Sequence, residues 1–142
     1  MALPTTLLLD IVTPDRALLS AQVDEVVVPG TEGELGILPG HTPLLSTLKV
    51  GELWYRTGQE KHHLSVAFGF VEILPDRVTV LAQVGERAQD IDIARAERAK
   101  QRAEERLTGA IPRDDFDIER ARIALMKSLI RLQVAARART RA

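Results

Sequence analysis

The chain has 142 residues, 45% of them hydrophobic and 27% charged, with a formal net charge of −1 and no cysteine. The missing thiols exclude disulfides, thiolate catalysis and cysteine-ligated zinc or iron–sulfur centres, and no apolar run approaches the roughly 20 residues that a membrane-spanning helix needs. The length suits one domain, or a domain of about 85 residues with an appendage, and the second is favoured because eight of the nine glycines and six of the seven prolines lie at or before Gly85.

Charge divides at nearly the same place. Residues 1–89 carry eleven acidic and six basic side chains, a net of −5, while residues 90–142 carry nine and thirteen, a net of +4. Two modules of opposite sign suggest different partners for each.

In chain order, Leu7, Leu8, Leu9, Asp10, Ile11 and Val12 read as a strand closed by a turn at Pro14 and Asp15. This apolar start has no basic leader and no small-residue cleavage site, so it does not read as a secretory signal. Residues 23–28 read as a second strand, with a turn at Pro29 and Gly30. Residues 32–43 then pack three glycines and two prolines into twelve positions. Pro39 followed by Gly40 suits a type II turn, Leu35, Ile37 and Leu38 are expected beneath the loop, and Glu34 and His41 are expected to be held rigidly on it. A phosphate-binding loop is ruled out by the spacing from Gly36 to Gly40 and by His41 in place of the required lysine.

Further strands are read at 51–56, 63–68, 70–74 and 77–83, the last preceded by a turn at Pro75 and Asp76. Such spacing without intervening helices predicts an antiparallel β-sandwich or flattened barrel. Val78, Val80 and Ala82 share one face, opposite Thr79, Leu81 and Gln83. Several strands are apolar on both faces, which a covering partner and irregular packing of a small core explain equally well. Trp54 and Tyr55 are either a core residue with a surface neighbour or an interface pair.

No catalytic constellation is visible. His62 and His63 are adjacent and point oppositely on a strand, a poor arrangement for a metal. Ser65 stands two positions from His63 with no recognisable acid partner or nucleophile elbow.

The second module is helical. Asp90 is placed as N-cap of a helix from Ile91, and its apolar seam runs Ala96, Ala99, Ala103, Leu107. Alanines allow a neighbouring helix to approach closely while burying little area. Gly109 suits a left-handed cap, Pro112 blocks continuation, and Asp114, Asp115 or Asp117 starts a second helix. That helix carries a seam of Ile118, Ala121, Leu125, Leu132 and Ala135, flanked by Leu129 and interrupted by Ser128, which predicts an antiparallel hairpin. From Arg120 onward every charged residue is basic, seven in all. Such a run marks either a helix-end preference carried far or a surface for an acidic partner.

The segment from Glu32 to His41 with Thr42, Pro43, Leu44 and Leu45, together with Gly69-Phe70-Val71-Glu72-Ile73 and Val78-Thr79-Val80-Leu81-Ala82, resembles the epsilon subunits of rotary proton-translocating ATP synthases. The resemblance covers nearly the whole chain. It implies an antiparallel β-sandwich of about ten strands over residues 1–87 and a regulatory two-helix hairpin over residues 88–142. It further implies a non-catalytic rotor subunit of the central stalk. The sandwich would bind the gamma subunit and the c-ring, with Glu34 and His41 at the c-ring, and couple its rotation to ATP synthesis. The hairpin would inhibit ATP hydrolysis by meeting beta, and alpha, subunits when extended, with Lys127, Arg131 and Arg137 facing an acidic segment of beta. The implied location is peripheral, on the cytoplasmic face of the plasma membrane, without insertion in the bilayer.

Ile91-Asp92-Ile93-Ala94-Arg95-Ala96 also resembles the pattern that marks ATP binding in some bacterial epsilon subunits. Arg95 and Asp92 would share a helix face, the guanidinium meeting phosphate and the carboxylate a base amine or ribose hydroxyl. Glu86, Arg102 and Arg131 fall where nucleotide-binding members have polar contacts. Lys127 departs from them, standing where an arginine is expected and lacking its planar fork. An ordinary i,i+3 helix pair accounts for Asp92 and Arg95 equally well. The resemblance requires no cofactor and no metal, and leaves ATP as an optional regulatory ligand. The rival reading is a stand-alone ATP-sensing module. A nucleic-acid-binding tail is disfavoured by the alanine-rich helical pattern and by the absence of aromatics from the basic run after Arg120.

Overall fold

The computed structural model describes residues 3–109 and 115–139. The chain divides after Arg87 into two compact units. The first holds eight strands: β1 (Leu7–Val12), β2 (Ala17–Val23), β3 (Glu25–Gly30), β4 (Gly33–Ile37), β5 (Leu44–Leu48), β6 (Gly51–Thr57), β7 (Glu60–Leu74) and β8 (Arg77–Arg87). They follow one another in space as β2-β1-β8-β7-β5-β3-β4, with β6 joined to β3 and β7.

Two features differ from the sequence-based expectation. The strands number eight rather than about ten, and the sheet is mixed, because β1 runs parallel to β8 from Leu8 opposite Arg77 to Val12 opposite Leu81. A parallel pair requires a long connection, and here six strands lie between the partners, so no local signal announces it.

Smaller departures have identifiable causes. Residues 23–28 are split, because Val23 ends β2 and β3 begins at Glu25. Between them, the Asp24 carboxylate accepts from the Gly58 backbone N–H at 2.7 Å. Pro29 and Gly30 stay within β3, opposite Glu34 and Gly33. Strands β4 and β5 are absent from the sequence reading because glycine and proline around them read as loop, and β2 is absent from it except for Val23.

Residues 63–68 and 70–74 belong to one strand, β7, which pairs with β6 through its first half and with β5 through its second. At their junction Phe68 and Gly69 both have positive φ, 61° and 119°. A Cβ on Gly69 would lie 1.9 Å from the Leu81 carbonyl oxygen, so glycine is demanded by space as well as by dihedral. The kink resets which residues face inward. Leu64 and Val66 fill the core before it, Val71 and Ile73 after it, a change from even to odd positions that an unbroken strand cannot make. Val78, Val80 and Ala82 face the core and Leu81 faces out, as their alternation predicts. Together with Leu7, Leu9 and Ile11 from β1 they form the centre of the interior.

In the second unit a short 3₁₀ turn, Ala88–Asp90, leads into α1 (Ile93–Thr108) and α2 (Asp115–Arg139). Ala88 and Ile91, near its start, pack on Val134 and Ala135, near its end, so the helices run antiparallel. The seam is alanine, as predicted: Ala96, Ala103 and Ala121 are buried. Ser128 does not interrupt it. That side chain is 1% exposed, and its hydroxyl donates to the Leu125 carbonyl at 2.9 Å, which satisfies the buried polar atom within the helix. Ile118, expected in the seam, is 40% exposed.

Both ends of α1 also differ. The N-cap is Asp92, two residues later than expected, in extended conformation. Gly109 caps the C-terminus with φ −73°, not left-handed, its N–H donating to the Glu105 carbonyl. Of the remaining boundary residues, Asp115 starts α2, whereas Pro112 and Asp114 lie outside the described residues.

Candidate functional site

Three surfaces carry the candidate residues. The first is the end of the sandwich formed by the segment from β4 to β5. Glu34 lies exposed on β4. The predicted type II turn is present: His41 N–H donates to the Leu38 carbonyl at 3.1 Å, across Pro39 and a Gly40 of φ 88°. Gly40 N–H donates to the Pro75 carbonyl at 2.7 Å, fastening this turn to the connection between β7 and β8. His41 is half-buried, and its Nδ1 lies 2.6 Å from the Thr42 carbonyl, so Nδ1 carries the proton and donates. Leu38 is not tucked under the loop as expected. It is 54% exposed, and Leu44 and Leu45 are bare beside it in sequence at 42% and 68%. Sequence reasoning missed these leucines as surface residues, since an apolar residue in a glycine-rich loop is ordinarily assigned to the core.

The second surface is the outer face of the sheet. An open groove of about 310 Å³ is lined by Val12, Pro14, Gly69, Phe70, Leu81 and their neighbours. Phe70 and Leu81 stand directly opposite each other on β7 and β8, 52% and 51% exposed. Leu81 also pairs with Val12. Contiguous exposed apolar side chains of this kind mark a surface built to be covered.

Elsewhere on the sandwich, His63 has the acid partner that its sequence did not reveal: Glu52 Oε1 is 2.8 Å from its Nδ1. Ser65 is buried within β7. Tyr55 is half-buried against the core and stacks on His62 at 4.9 Å, and burial raises the pKa of its hydroxyl. Lys61 lies over the Trp54 ring at 4.3 Å. The two aromatics are thus occupied within the sheet. Hydrogen bonds to Asp10 from Ser20 and then from Arg77 hold its carboxyl below the ordinary value. The Arg77 contact, at 2.6 Å, ties β1 to β8. No cluster of metal-ligating side chains is found among the described residues.

The third surface is on the helices. Ile91 and Ala96 are buried and Asp92, Arg95 and Arg102 exposed. Asp92 does not form the ordinary i,i+3 side-chain pair with Arg95 that the sequence also allows. Its carboxylate accepts from the Arg95 backbone N–H at 3.0 Å. Glu86 belongs to the sandwich unit, on β8 opposite Ser65, and the other candidates to the helical unit. Arg95, Arg98, Arg102 and Arg106, all exposed, recur at helical spacing and form one flank of α1. Arg95 and Arg102 are marked by the sequence, and the same spacing finds Arg98 and Arg106. On α2, Lys127 and Arg131 are neighbours one turn apart and half-buried. Arg137 is exposed and lies six residues on, roughly 120° around the helix at 3.6 residues per turn, so the three do not make one row.

A β-sandwich with bare apolar surface, followed by a two-helix unit with a basic flank, defines a subunit built to dock against others. Residues 6–88 match the family described as ATP synthase, Delta/Epsilon chain, beta-sandwich domain, and residues 89–136 that described as ATP synthase, Delta/Epsilon chain, long alpha-helix domain. The chain belongs to the delta/epsilon chain family of ATP synthase. It is 51% identical over 126 residues to the ATP synthase epsilon chain of Nitratidesulfovibrio vulgaris, covering 89% of this chain and 92% of that one. It is 50% identical over 127 residues to the epsilon chain of Syntrophobacter fumaroxidans, covering 89% and 93%. Its fold is similar to a chain in the OSCP/F1/c-ring structure of Euglena gracilis mitochondrial ATP synthase, with a TM-score of 0.81 at 22% identity, covering 96% of this chain and 84% of that one. Among the described residues no helix is long and apolar enough to cross a membrane.

Proposed function

We propose that this chain is the non-catalytic central-stalk subunit that couples c-ring rotation to ATP synthesis and restrains ATP hydrolysis through its helices. The observation that carries the reading is the match of both units, in order, to the two domains of the family. The same match disfavours a stand-alone ATP sensor. The sandwich would bind the gamma subunit and the c-ring, with Glu34 and His41 beside the exposed Leu38, Leu44 and Leu45 as the c-ring contact. Such a subunit works at the cytoplasmic face of the plasma membrane, held there by its partners.

Lys127, Arg131 and Arg137 would meet an acidic segment of a beta subunit, Lys127 and Arg131 as an adjacent pair and Arg137 from another side. ATP would act as a regulatory ligand of Arg95, Arg102 and Arg131, with Ile91, Asp92 and Ala96 at the start of the helix that carries Arg95. Deleting residues 88–142 is expected to leave co-purification with gamma and c subunits intact and to raise ATP hydrolysis by the assembled enzyme. Reversing the charges of Lys127, Arg131 and Arg137 is expected to raise it more than a neutral change on the exposed face of α1. Hydrolysis unchanged by the deletion would remove the inhibitory role, and loss of co-purification by the sandwich alone would remove the coupling role.

A further inference from the structure

We infer that α2 carries a second docking face, beside the seam that meets α1, and that this face pairs antiparallel with the same face of a second copy of this chain. The inference goes beyond the assembly reading above and stands or falls without it.

Ala121, Ser128 and Ala135 are the buried seam of α2. Roughly 100° around the helix, at 3.6 residues per turn, a stripe runs Ile118, Arg122, Met126, Leu129, Gln133, Ala136. Ile118, Met126 and Leu129 on it are 40%, 44% and 44% exposed. Leu125 and Leu132, both half-buried, join the stripe to the seam. The other helix has no such stripe: no large apolar side chain of α1 is exposed, and most of its exposed positions are charged. A helix with one neighbour needs one apolar stripe, whereas α2 has the wider apolar arc of a helix with two.

Charge selects the second neighbour. Asp117 and Glu119 lie near the N-terminal end of α2, while every charge from Arg120 onward is basic. Parallel pairing of two such helices would set acid beside acid and base beside base, and antiparallel pairing sets each end against its complement. With Met126 of one copy opposite Leu129 of the other, Arg122 falls opposite Gln133, and Glu119 falls one position from Arg137 on the same edge of the stripe. Two-fold symmetry makes each of these contacts twice. Glu119 is paired within its own helix to Arg122 at 3.5 Å, an exposed contact whose exchange costs little. One helix stripe is smaller than a standard interface, so the pairing is weak, with a dissociation constant of about 100 μM.

The test is sedimentation equilibrium of the full chain over a concentration range that brackets about 100 μM. The average mass is expected to rise from one chain toward two. Met126→Gln combined with Leu129→Gln, both at exposed positions, is expected to weaken association about tenfold while keeping the helical circular dichroism. Arg137→Glu sets like charges together at both symmetric contacts and is expected to weaken it about fivefold. Adding Glu119→Arg to that variant is expected to restore it, because only the antiparallel register brings these two positions together. A mass of one chain at every concentration would overturn the inference and leave the face to a different partner. Association that survives the double glutamine variant, or that is abolished by Phe70→Ser on the sandwich, would place the contact elsewhere and overturn it too. If the glutamine variant loses its helical signal, the charge swap decides alone, and failure of Glu119→Arg to rescue Arg137→Glu would overturn the antiparallel pairing.

Discussion

The sandwich fills its interior with leucine, isoleucine and valine, whereas the two helices meet mostly on alanine, with Val134 and Ser128 buried among them. Full burial of one large aliphatic side chain contributes about 1.5–3 kcal/mol, against roughly 0.8 kcal/mol for a single methyl-sized group. The difference teaches what each unit is suited to. A framework that must transmit force has to keep one conformation, and the sandwich has the buried area and the pinned loops to do so. A regulatory element needs alternative states within a few kcal/mol of one another, and close-packed helices with little apolar area at the seam meet that condition.

The contrast can be broken at the sandwich first. Gly69→Ala drives a Cβ into the Leu81 carbonyl and is expected to cost about 3 kcal/mol or more, read as a lower urea midpoint for the sandwich. A loss below 1 kcal/mol would mean that the kink adapts and the framework is softer than its packing indicates. The matching change in the hairpin is Ala103→Leu, which overfills a 2% exposed seam position and is expected to cost about 1–3 kcal/mol. The helical circular dichroism signal should melt earlier while the sandwich transition stays in place. Coincident shifts of both transitions would show that the two units do not unfold independently.

The smallest effect sharpens the electrostatic side. The folded-state pKa of Asp10 is lowered, by Ser20 first and Arg77 second, so its contribution to stability is present above its unfolded pKa, near 4, and is lost as pH falls through the lower folded value. Asp10→Asn is expected to flatten the acid limb of the sandwich's stability curve below about pH 4. An unchanged slope would leave the tie between β1 and β8 without an ionic part.

How much of this was legible depended on the range of the interaction. The alternation of Val78, Val80 and Ala82, the type II turn at Pro39 and Gly40, and the alanine seam each rest on neighbours within a few residues, and all are present. The split at Asp24, the cap at Asp92 and the burial of Ser128 were misplaced by one or two positions or one category. In each, a polar side chain chose among partners that the sequence offers equally. The candidate residues were less legible than the fold. Their spacing placed them on the right elements, yet it could not show that the Asp92 carboxylate is already committed to a backbone N–H, or that Arg137 stands apart from Lys127 and Arg131.

The sequence by itself determined the two-part division, the sign of charge on each part, the helical seam and most strand faces, because composition and periodicity act locally along the chain. Only the tertiary structure decided the parallel pairing of the first and last strands, the inward switch at Phe68 and Gly69, and which leucines remain bare. Those outcomes follow from contacts between residues tens of positions apart, where closing the sheet fixes backbone angles and exposure that no short window specifies.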